Sequence, residues 1–487
     1  MPTASPAGHL AHRRFPDEFL FGAATAAYQI EGAAFEDGRT ASIWDHFARQ
    51  PGAVINGDTG DVACDHYHRY RDDVALMEEL GLQAYRFSTS WSRVRPDGGP
   101  VNEQGLDFYR RLVDELLEVG IKPWLTLYHW DLPQALEEKG GWTSRETVDR
   151  FLEYALSVHD ALGDRVETWT TLNEPWCSSF LSYTAGIHAP GRQSVTDGLL
   201  SAHHLLLAHG RTVQELRRRD GELELGLTLN LTVAEPADPE DEADRDAARR
   251  IDGQFNRWFL DPLFRGEYPQ DIALDLHEVD PAALAALEDA DQAGDLAAIS
   301  TPLDALGVNY YHGEYVGGAP PAEEPPAGDA PTDRATSSPF PAHTNLFWHE
   351  RGLPRTAMGW EVQPAGLTDL LLRVDREYAR PAGTALYVTE NGAAFDDVVT
   401  DGGDGATRVA DAERAEFLRA HLGATLEARE AGVDVRGYFY WSLLDNYEWA
   451  RGYEKRFGIV RVDYDTQERL IKDSGREYRH IIAERAI

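Results

Sequence analysis

The sequence predicts an α/β fold, a single (β/α)8 TIM barrel with elaborated βα loops. Eight short apolar segments each precede a stretch with helical character, and unusual polar residues follow each apolar segment. Alternating strands and helices are typical of a parallel sheet, and eight repeats favour closure into a barrel. An open doubly wound sheet is the alternative, but no glycine-rich dinucleotide fingerprint follows the first segment.

Each predicted strand is a run of four or five mainly apolar residues. In chain order the strands are Phe19–Ala23, Ala84–Ser88, Pro123–Leu127, Thr168–Leu172, Leu225–Leu229, Ala305–Val308, Ala385–Val388 and Gly437–Tyr440. Helical periodicity connects them, with apolar residues three and four positions apart on one face. The clearest predicted helices are Arg71–Leu80, Gly105–Val119, Ser201–Arg218 and Ala412–Arg429.

Two segments depart from this alternation without dividing the chain. Gly317–Pro341 is rich in Pro, Ala, Glu and Asp and predicts a long loop after the sixth strand. Asp238–Asp246 is an acidic, solvated helix entry. Strand–helix units continue on both sides of each segment. We therefore expect one (β/α)8 domain over residues 15–487, preceded by a disordered tail over residues 1–14.

The charge balance excludes some classes of partner. The net charge is −37, from 46 basic and 83 acidic residues. Such a field repels nucleic acid and anionic membranes, so neither is an expected partner. The acidity fits either a soluble acidic surface encoded by a GC-rich gene or adaptation to high salt. A homo-oligomer is compatible with the sequence, which does not indicate the oligomeric state.

Cysteine content and hydropathy predict a cytoplasmic enzyme. Cys64 and Cys177 are the two cysteines, too few for a disulfide framework, and neither has a CxxC neighbour that would indicate a metal site. One disulfide between them remains open. No apolar run approaches the roughly 20 residues that span a bilayer. The first residues lack a basic-then-apolar secretion signal.

Polar residues cluster after the predicted strands, where a barrel of this type has its active site. The set contains two glutamates, several amides, a histidine, an arginine and many indoles. Glycoside hydrolysis needs two carboxyl groups, and sugar rings pack against aromatic faces. The set does not indicate a nicotinamide, phosphate or metal site, so we expect no cofactor and no metal.

Eight motifs occur in order at the predicted strand ends: FLFGAATAAYQIEGA, YRFSTSWSR, YHWDLP, TLNEPW, GVNYY, MGWEVQPAGL, YVTENG and YFYWSLLDNYEWARGYEKRFGIV. In these motifs the chain resembles glycoside hydrolase family 1, the β-glucosidase family, from Phe19 to about Ile482. A lone Asn-Glu-Pro would be weak evidence, but the eight motifs occur in family order.

The resemblance implies a retaining β-glucosidase that acts on terminal β-D-glucosyl residues of O-glycosides, including short cello-oligosaccharides, through a covalent glycosyl-enzyme intermediate. It implies that Glu174 is the acid/base and Glu390 the nucleophile, with Arg86 and Tyr311 supporting the nucleophile. The implied substrate-binding residues are Gln29, His129, Trp130, Asn173, Asn309, Tyr311, Trp360, Trp441, Glu448, Trp449 and Phe457. Trp441 would lie beneath the sugar ring, and Trp360 would flank the leaving group.

The implied chemistry sets electrostatic requirements. A retaining enzyme holds its two carboxyl groups about 5–5.5 Å apart, and the ends of strands four and seven can bring them that close. Arg86 would keep Glu390 ionised by its charge, and Tyr311 would do so by hydrogen bonding. The charge of Glu390 would raise the pKa of Glu174, which must begin protonated.

Single residues separate subtypes within the resemblance. Thioglucosidases carry Gln in place of Glu174, so the Glu favours O-glycosides. Phospho-β-glucosidases carry Ser in place of Glu448, and a glutamate there would repel phosphate. The preference for glucosyl over galactosyl or fucosyl groups is left open, as is the natural aglycone.

Less specific interpretations stand beside these. Asn-Glu-Pro and Glu-Asn-Gly could be ordinary turns, and His129, Trp360, Trp441 and Trp449 could be packing residues. Cys177 is interpreted as a small buried apolar residue. A sugar-binding pseudoenzyme is a second functional class, although both glutamates are present. A transglycosylase would share every catalytic residue.

Overall fold

A computed structural model of the protein describes residues 13–321, 334–401 and 407–487. Eight parallel strands form a closed barrel in sequential order. The predicted (β/α)8 TIM barrel is therefore confirmed. Among the described residues, no helix combines the length and apolar character needed to cross a bilayer.

The barrel strands match the predicted segments or differ from them by one to three residues at their ends. They are β1 (Leu20–Ala24), β2 (Ala84–Ser88), β3 (Lys122–Tyr128), β4 (Thr168–Asn173), β5 (Glu224–Asn230), β6 (Ala305–Asn309), β7 (Ala385–Asn391) and β8 (Val435–Trp441). The first and last strands pair from Leu20 with Gly437 to Ala24 with Trp441, which closes the barrel. The extensions add polar residues such as Asn173, which ends β4 and lies at the C-terminal mouth of the barrel.

Helices surround the barrel and bury their apolar faces against it. The longer α-helices are His66–Leu80, Glu103–Glu118, Glu146–Leu162, Val195–Arg219, Glu242–Asp252, Trp258–Arg265, Gln270–Val279, Pro281–Ala290, Pro364–Val374, Ala412–Glu430 and Asp473–Glu484. Short α-helices span Ala27–Ile30, Ile43–Phe47, Trp91–Val94, Gln134–Glu137, Asp295–Ile299 and Arg380–Ala382. Three π-helical segments interrupt the pattern at Cys177–Thr184, Gly253–Arg257 and Asp375–Ala379.

Val195–Arg219 illustrates why these helices begin and end where they do. The Ser194 hydroxyl accepts a hydrogen bond from the Asp197 backbone N–H and caps the first turn. Three arginines, Arg217, Arg218 and Arg219, occupy the last turn, where cations favour the helix dipole. The helix therefore begins at Val195, directly after its cap, and not at the predicted Ser201.

The barrel interior is packed beneath the mouth. The Trp124 indole donates to Thr170 Oγ1 over 2.7 Å and contacts the rings of Tyr387 and Phe439 edge-on. Gly307 of β6 lies where a Cβ would come within 2.3 Å of Thr228 Oγ1. Glycine at this position therefore leaves room for the Thr228 and Thr389 side chains inside the barrel.

Small sheets elaborate the loops at three places. Ala234–Pro236, Glu314–Gly317 and Phe347–Trp348 form one sheet, Val398–Asp401 pairs with Thr407–Ala410, and Val460–Val462 pairs with Arg469–Ile471. The predicted loop Gly317–Pro341 includes residues 322–333, which lie outside the described residues. Most of the predicted tail, residues 1–12, also lies outside them, whereas Arg14 pairs with Ala486 and Arg13 with Glu430.

Candidate active site

A cavity of about 440 Å³ opens at the C-terminal end of the barrel. This volume is within the usual range for small-molecule sites. Both predicted catalytic glutamates contribute to its lining. So do nine of the other predicted residues: His129, Trp130, Asn309, Tyr311, Trp360, Trp441, Glu448, Trp449 and Phe457.

Glu390 is held at the floor by two donors. Arg86 Nη1 lies 2.6 Å from Glu390 Oε1, and the Tyr311 hydroxyl donates to Glu390 Oε2 over 2.8 Å. Arg86 and Glu390 are both buried. Burial raises the pKa of Glu390, but the Arg86 charge and the two hydrogen bonds oppose that rise. These contacts favour the ionised form of Glu390 over that of its neighbouring carboxyl.

Glu174 lacks a comparable ion pair among the described residues. Its Oε1 accepts a hydrogen bond from Asn309 Nδ2 over 2.7 Å, and its Oε2 accepts one from Cys177 Sγ over 3.1 Å. Burial raises the pKa of Glu174 to about 8, and the charge of Glu390 adds to the rise. Burial is thus a larger cause than the neighbouring charge that the sequence suggested.

The backbone around the site is strained at three residues. Trp130, Glu174 and Trp449 have φ values of 76°, 50° and 49°, in the left-handed region that non-glycine residues rarely adopt. Such conformations cost on the order of 1–3 kcal/mol each and concentrate at functional sites. Glu174 directly follows β4, and its left-handed backbone conformation helps to orient its side chain.

Asn173 connects His129 to Arg86 and Asn309, the two residues that hydrogen-bond the glutamates. Its Oδ1 accepts from Arg86 Nη2 over 2.6 Å and from Asn309 Nδ2 over 3.2 Å. These two bonds fix the amide orientation, so Asn173 Nδ2 donates to His129 Nε2 over 3.1 Å. Burial holds the pKa of His129 well below its usual range. The ring is therefore neutral, with its proton on Nδ1.

Several buried polar atoms have no hydrogen-bond partner among the described residues. They include His129 Nδ1, Gln29 Oε1 and Glu448 Oε2. Gln29 Nε2 is engaged by Asn446 Oδ1 and the Tyr447 carbonyl. Burial raises the pKa of Glu448 to about 8, with further increases from Glu390 and Glu174. Buried polar groups are normally paired, so these atoms are suited to bind a polar ligand.

The predicted residues outside the lining are Gln29, Arg86 and Asn173. All three are fully buried. Arg86 contacts Glu390, and Asn173 contacts both Arg86 and His129, so these two belong to the layer behind the cavity wall. Gln29 contacts the loop that carries Glu448 rather than a catalytic residue.

Aromatic rings form much of the wall. The Trp441 and Trp449 rings lie nearly parallel to His129, with centroids 5.8 and 6.0 Å away. Trp130 packs on Trp449 at 4.5 Å. A second group joins Trp360 to Tyr311 and Phe457, with centroid distances of 5.5 and 6.2 Å.

Further lining residues were absent from the sequence prediction. They include Trp176, Cys177, His188, Phe255 and Phe340. The interpretation of Cys177 as a purely apolar residue is wrong, because its thiol donates to Glu174. The three-residue spacing from Glu174 was the available signal. Both cysteines are free and buried, so the disulfide left open by the sequence does not form.

One group among the described residues has the geometry of metal ligands, and it does not line the cavity. It consists of His203, Asp291 and Asp295. Arg145 already donates to both oxygens of Asp295, each over 2.6 Å, and the Tyr268 hydroxyl lies 3.0 Å from His203 Nδ1. The guanidinium thus supplies the positive charge that a cation would bring.

Known proteins resemble this chain over nearly its full length. Residues 11–487 match the family described as Glycosyl hydrolase family 1. The chain is 45% identical over 473 residues to β-glucosidase A of Thermotoga maritima, covering 96% of this chain and 98% of that protein. It is 47% identical over 477 residues to a bifunctional β-D-glucosidase/β-D-fucosidase of Bifidobacterium breve, covering 96% and 98%. The crystal structure of a psychrophilic β-glucosidase from Micrococcus antarcticus matches with a TM-score of 0.92 at 55% identity, covering 97% and 98%.

Proposed function

The chain belongs to glycosyl hydrolase family 1, and we propose that Glu174 and Glu390 are the acid/base and nucleophile of its retaining β-glucosidase reaction. The supporting observation is the electrostatic difference between the two carboxyl groups. Arg86 pairs with Glu390, while burial and the neighbouring charge raise the pKa of Glu174 to about 8. Environments that separate two pKa values in this way assign the acid and the base.

In the first step, Glu390 attacks the anomeric carbon and forms a glycosyl ester. Glu174 gives its proton to the glycosidic oxygen as the bond to the aglycone breaks. Ester formation removes the charge of Glu390, so one cause of the raised pKa of Glu174 disappears. Glu174 can then take a proton from water, whose oxygen attacks the anomeric carbon and releases β-glucose and Glu390.

The remaining residues are assigned to substrate binding. His129 Nδ1 and Glu448 Oε2, both without a partner among the described residues, are suited to bind sugar hydroxyls. Trp441 would support the apolar face of the sugar ring. Gln29, Trp130, Asn173, Asn309, Tyr311, Trp449 and Phe457 complete the proposed sugar-binding set, and Trp360 is assigned to the aglycone side.

The proposed substrates are small β-glucosides, with fucosides and galactosides as secondary substrates. The name of the Bifidobacterium breve relative supports the fucosidase activity. The net charge of −37 argues against nucleic acid as a partner. We assign residues 15–487 to one catalytic domain and propose a cytoplasmic location, which fits the scarcity of cysteine.

Hydrolysis of 4-nitrophenyl β-D-glucoside, followed by proton NMR, tests this function. We expect β-glucose to be the first product detected, before it mutarotates. An α-glucose first product would contradict retention, and no turnover would favour a sugar-binding pseudoenzyme. An added alcohol measures the competing transglycosylation, because it partitions the same intermediate between glucose and an alkyl glucoside.

A further inference from the structure

Thr389 occupies an irregular position in β7. The pairing of β7 with β6 passes from Val388 directly to Glu390, so Thr389 is an extra residue between two paired positions. Such an extra residue re-aims the neighbouring side chains, which regular alternation would send to opposite faces of the strand. The Thr389 side chain is fully buried inside the barrel, where a Cβ on Gly307 would come within 2.6 Å of its hydroxyl. Both the strand and its neighbour therefore accommodate this hydroxyl.

The Thr389 hydroxyl has a specific acceptor, the side-chain carbonyl of Asn309. Thr389 Oγ1 donates to Asn309 Oδ1 over 2.8 Å, and it is the one donor to that oxygen among the described residues. The amide orientation is fixed from the other end, because Asn309 Nδ2 lies 3.2 Å from Asn173 Oδ1, which also accepts from Arg86. A guanidinium only donates, so Asn309 must turn its amino group toward Asn173 and its oxygen toward Thr389.

The same amide reaches the proposed acid/base. Asn309 Nδ2 donates to Glu174 Oε1 over 2.7 Å, the shorter of its two bonds. Burial raises the pKa of Glu174 to about 8, and this bond opposes the rise because it stabilises the carboxylate. Glu174 needs its ionised form in the second step, when it takes a proton from water. The bond from Asn309 therefore matters most to the base.

Longer contacts connect Thr389 to Arg86. Arg86 Nη2 lies 3.3 Å from Thr228 Oγ1, which in turn lies 3.4 Å from Thr389 Oγ1. Since the guanidinium only donates, the series runs in one direction, from Arg86 through both hydroxyls and the Asn309 amide to Glu174. Hydrogen bonds arranged head to tail polarise one another. This series ends in donation to Glu174, which favours a carboxylate there.

We propose that Thr389 is a positioning residue, whose hydroxyl holds the Asn309 amide in the orientation that makes Glu174 an effective base in the second step. This inference rests on the proposed β-glucosidase function and on the role of Glu174 in it. Without the hydroxyl, the present amide orientation would leave Asn309 Oδ1 buried without a partner, which is unfavourable. The flipped amide would turn its oxygen toward the carboxylate. Loss of the hydroxyl therefore disfavours ionised Glu174.

Other titratable and charged groups surround Glu174, and each is retained in the variants that test Thr389. They are Arg86 of β2, His129 after β3, Cys177 after β4, Tyr311 after β6, Glu390 of β7 and Glu448 after β8. Arg86 and Tyr311 still hold Glu390 when the Thr389 hydroxyl is absent. The acidic limb of kcat/KM, which follows Glu390, should therefore move less than the limbs that follow Glu174.

Two pH profiles test the proposal. With methyl β-D-glucoside, the basic limb of kcat/KM follows the general acid of the free enzyme. With 2,4-dinitrophenyl β-D-glucoside, whose leaving group needs no proton, the acidic limb of kcat follows the base of the glycosyl-enzyme. Thr389→Val removes the hydroxyl and keeps nearly the same shape. We expect both limbs to move to higher pH by roughly 0.5–1 unit, so that kcat for the dinitrophenyl substrate falls roughly threefold to tenfold on its acidic limb.

Further variants separate the hydroxyl from its packing. Thr389→Ser keeps the hydroxyl and should return both limbs to their wild-type positions. Thr389→Ala lacks the hydroxyl and adds no methyl contact, so it should reproduce the shift even if the valine variant does not fold. Thr171→Val is the matched control, since Thr171 is an equally buried threonine of β4 whose hydroxyl contacts His209 Nδ1 over 2.6 Å, outside the cavity lining. It should leave both limbs in place.

The outcomes separate this inference from the proposed function. Unmoved limbs in a folded Thr389→Val or Thr389→Ala protein, even with a lower rate, would overturn the proposal. So would a Thr389→Ser protein with the same shift as the valine variant, because the hydroxyl would then not be the cause. If the wild-type protein hydrolyses neither glucoside, the β-glucosidase function itself fails. An α-glucosyl azide from azide rescue of Glu174→Ala would reverse the roles of the two glutamates, whatever the Thr389 variants show.

Discussion

Arg86 Nη1 lies 2.6 Å from Glu390 Oε1, in an ion pair that is buried at the floor of the barrel mouth. Glu174 has no such partner among the described residues and is instead bonded by Asn309 and Cys177. The arrangement favours ionisation of Glu390 over ionisation of Glu174, although the two side chains are chemically identical.

Replacing Arg86 should mainly affect the ionisation of Glu390. Arg86→Lys keeps one positive charge but cannot reproduce the bonds to Glu390, Asn173 and Thr228 together. We expect kcat/KM on a β-glucoside to fall by roughly 100-fold, and the acidic limb of its pH profile to move to higher pH. Unchanged kinetics with an unmoved acidic limb would show that the ion pair does not keep Glu390 ionised.

The pH dependence of kcat/KM should show deprotonation of the general acid, Glu174. Glu174 must be protonated for glycosylation and its pKa is raised to about 8, so kcat/KM for an alkyl glucoside should fall as pH rises through about 8. Glu448 titrates in the same range. The Glu448→Gln variant should therefore retain the basic limb at lower activity. Loss of that limb in this variant would assign it to Glu448.

Cys177 should tune the pKa of Glu174 through its thiol. The Sγ donates to Glu174 Oε2 over 3.1 Å, a bond that stabilises the carboxylate and lowers its pKa. Cys177→Ala removes the donor, so the basic limb should move to higher pH, and Cys177→Ser should restore it. If Ala and Ser variants have the wild-type profile, the thiol is only a packing group.

Glu448 should support substrate binding at a cost to the unliganded fold. Glu448→Ser should lower kcat/KM by a factor that corresponds to about 2–4 kcal/mol of transition-state stabilisation, because it removes a partner of the sugar hydroxyls. Its pKa in the folded protein is raised to about 8 from 4.5, so the unfolded chain ionises first as pH increases. Its contribution to stability is therefore full below about pH 4.5 and is lost as pH rises toward 8.

Thermal unfolding of Glu448→Gln checks the sign of this linkage. The neutral amide does not ionise, so the variant should gain Tm relative to the wild-type protein as pH increases from 4.5 to 8. An exposed control, Glu454→Gln, should show no such trend, because Glu454 lies at the surface. A Glu448→Gln advantage that is largest at acidic pH would contradict the raised pKa.

The strands could be predicted because each is a buried apolar run that ends in a polar residue. β2, Ala84–Ser88, matches its prediction in full, and the other strands differ only at their ends. Their C-terminal ends meet at one mouth, which is why Glu174 and Glu390 could be placed together from separate segments.

Several residues of the cavity lining could not be predicted, for physical reasons. Phe255 lies in a π-helical segment, where helical periodicity changes and does not indicate which face is buried. Phe340 lies within the proline-rich segment Gly317–Pro341, whose sequence has no periodic pattern. Cys177 follows β4 and Asn230 ends β5, and the contact between them depends on barrel geometry that a linear pattern does not contain.

Azide rescue of Glu174→Ala and Glu390→Ala tests the assignment of the two glutamates most directly. With an activated aryl β-glucoside, Glu174→Ala should still form the glycosyl-enzyme, and azide should release it as β-glucosyl azide without a general base. Glu390→Ala cannot form that intermediate, so azide should enter from the vacated side and give the α-glucosyl azide. Proton NMR of the anomeric product distinguishes them: β from Glu174→Ala and α from Glu390→Ala are predicted, and the reverse pair would contradict the account.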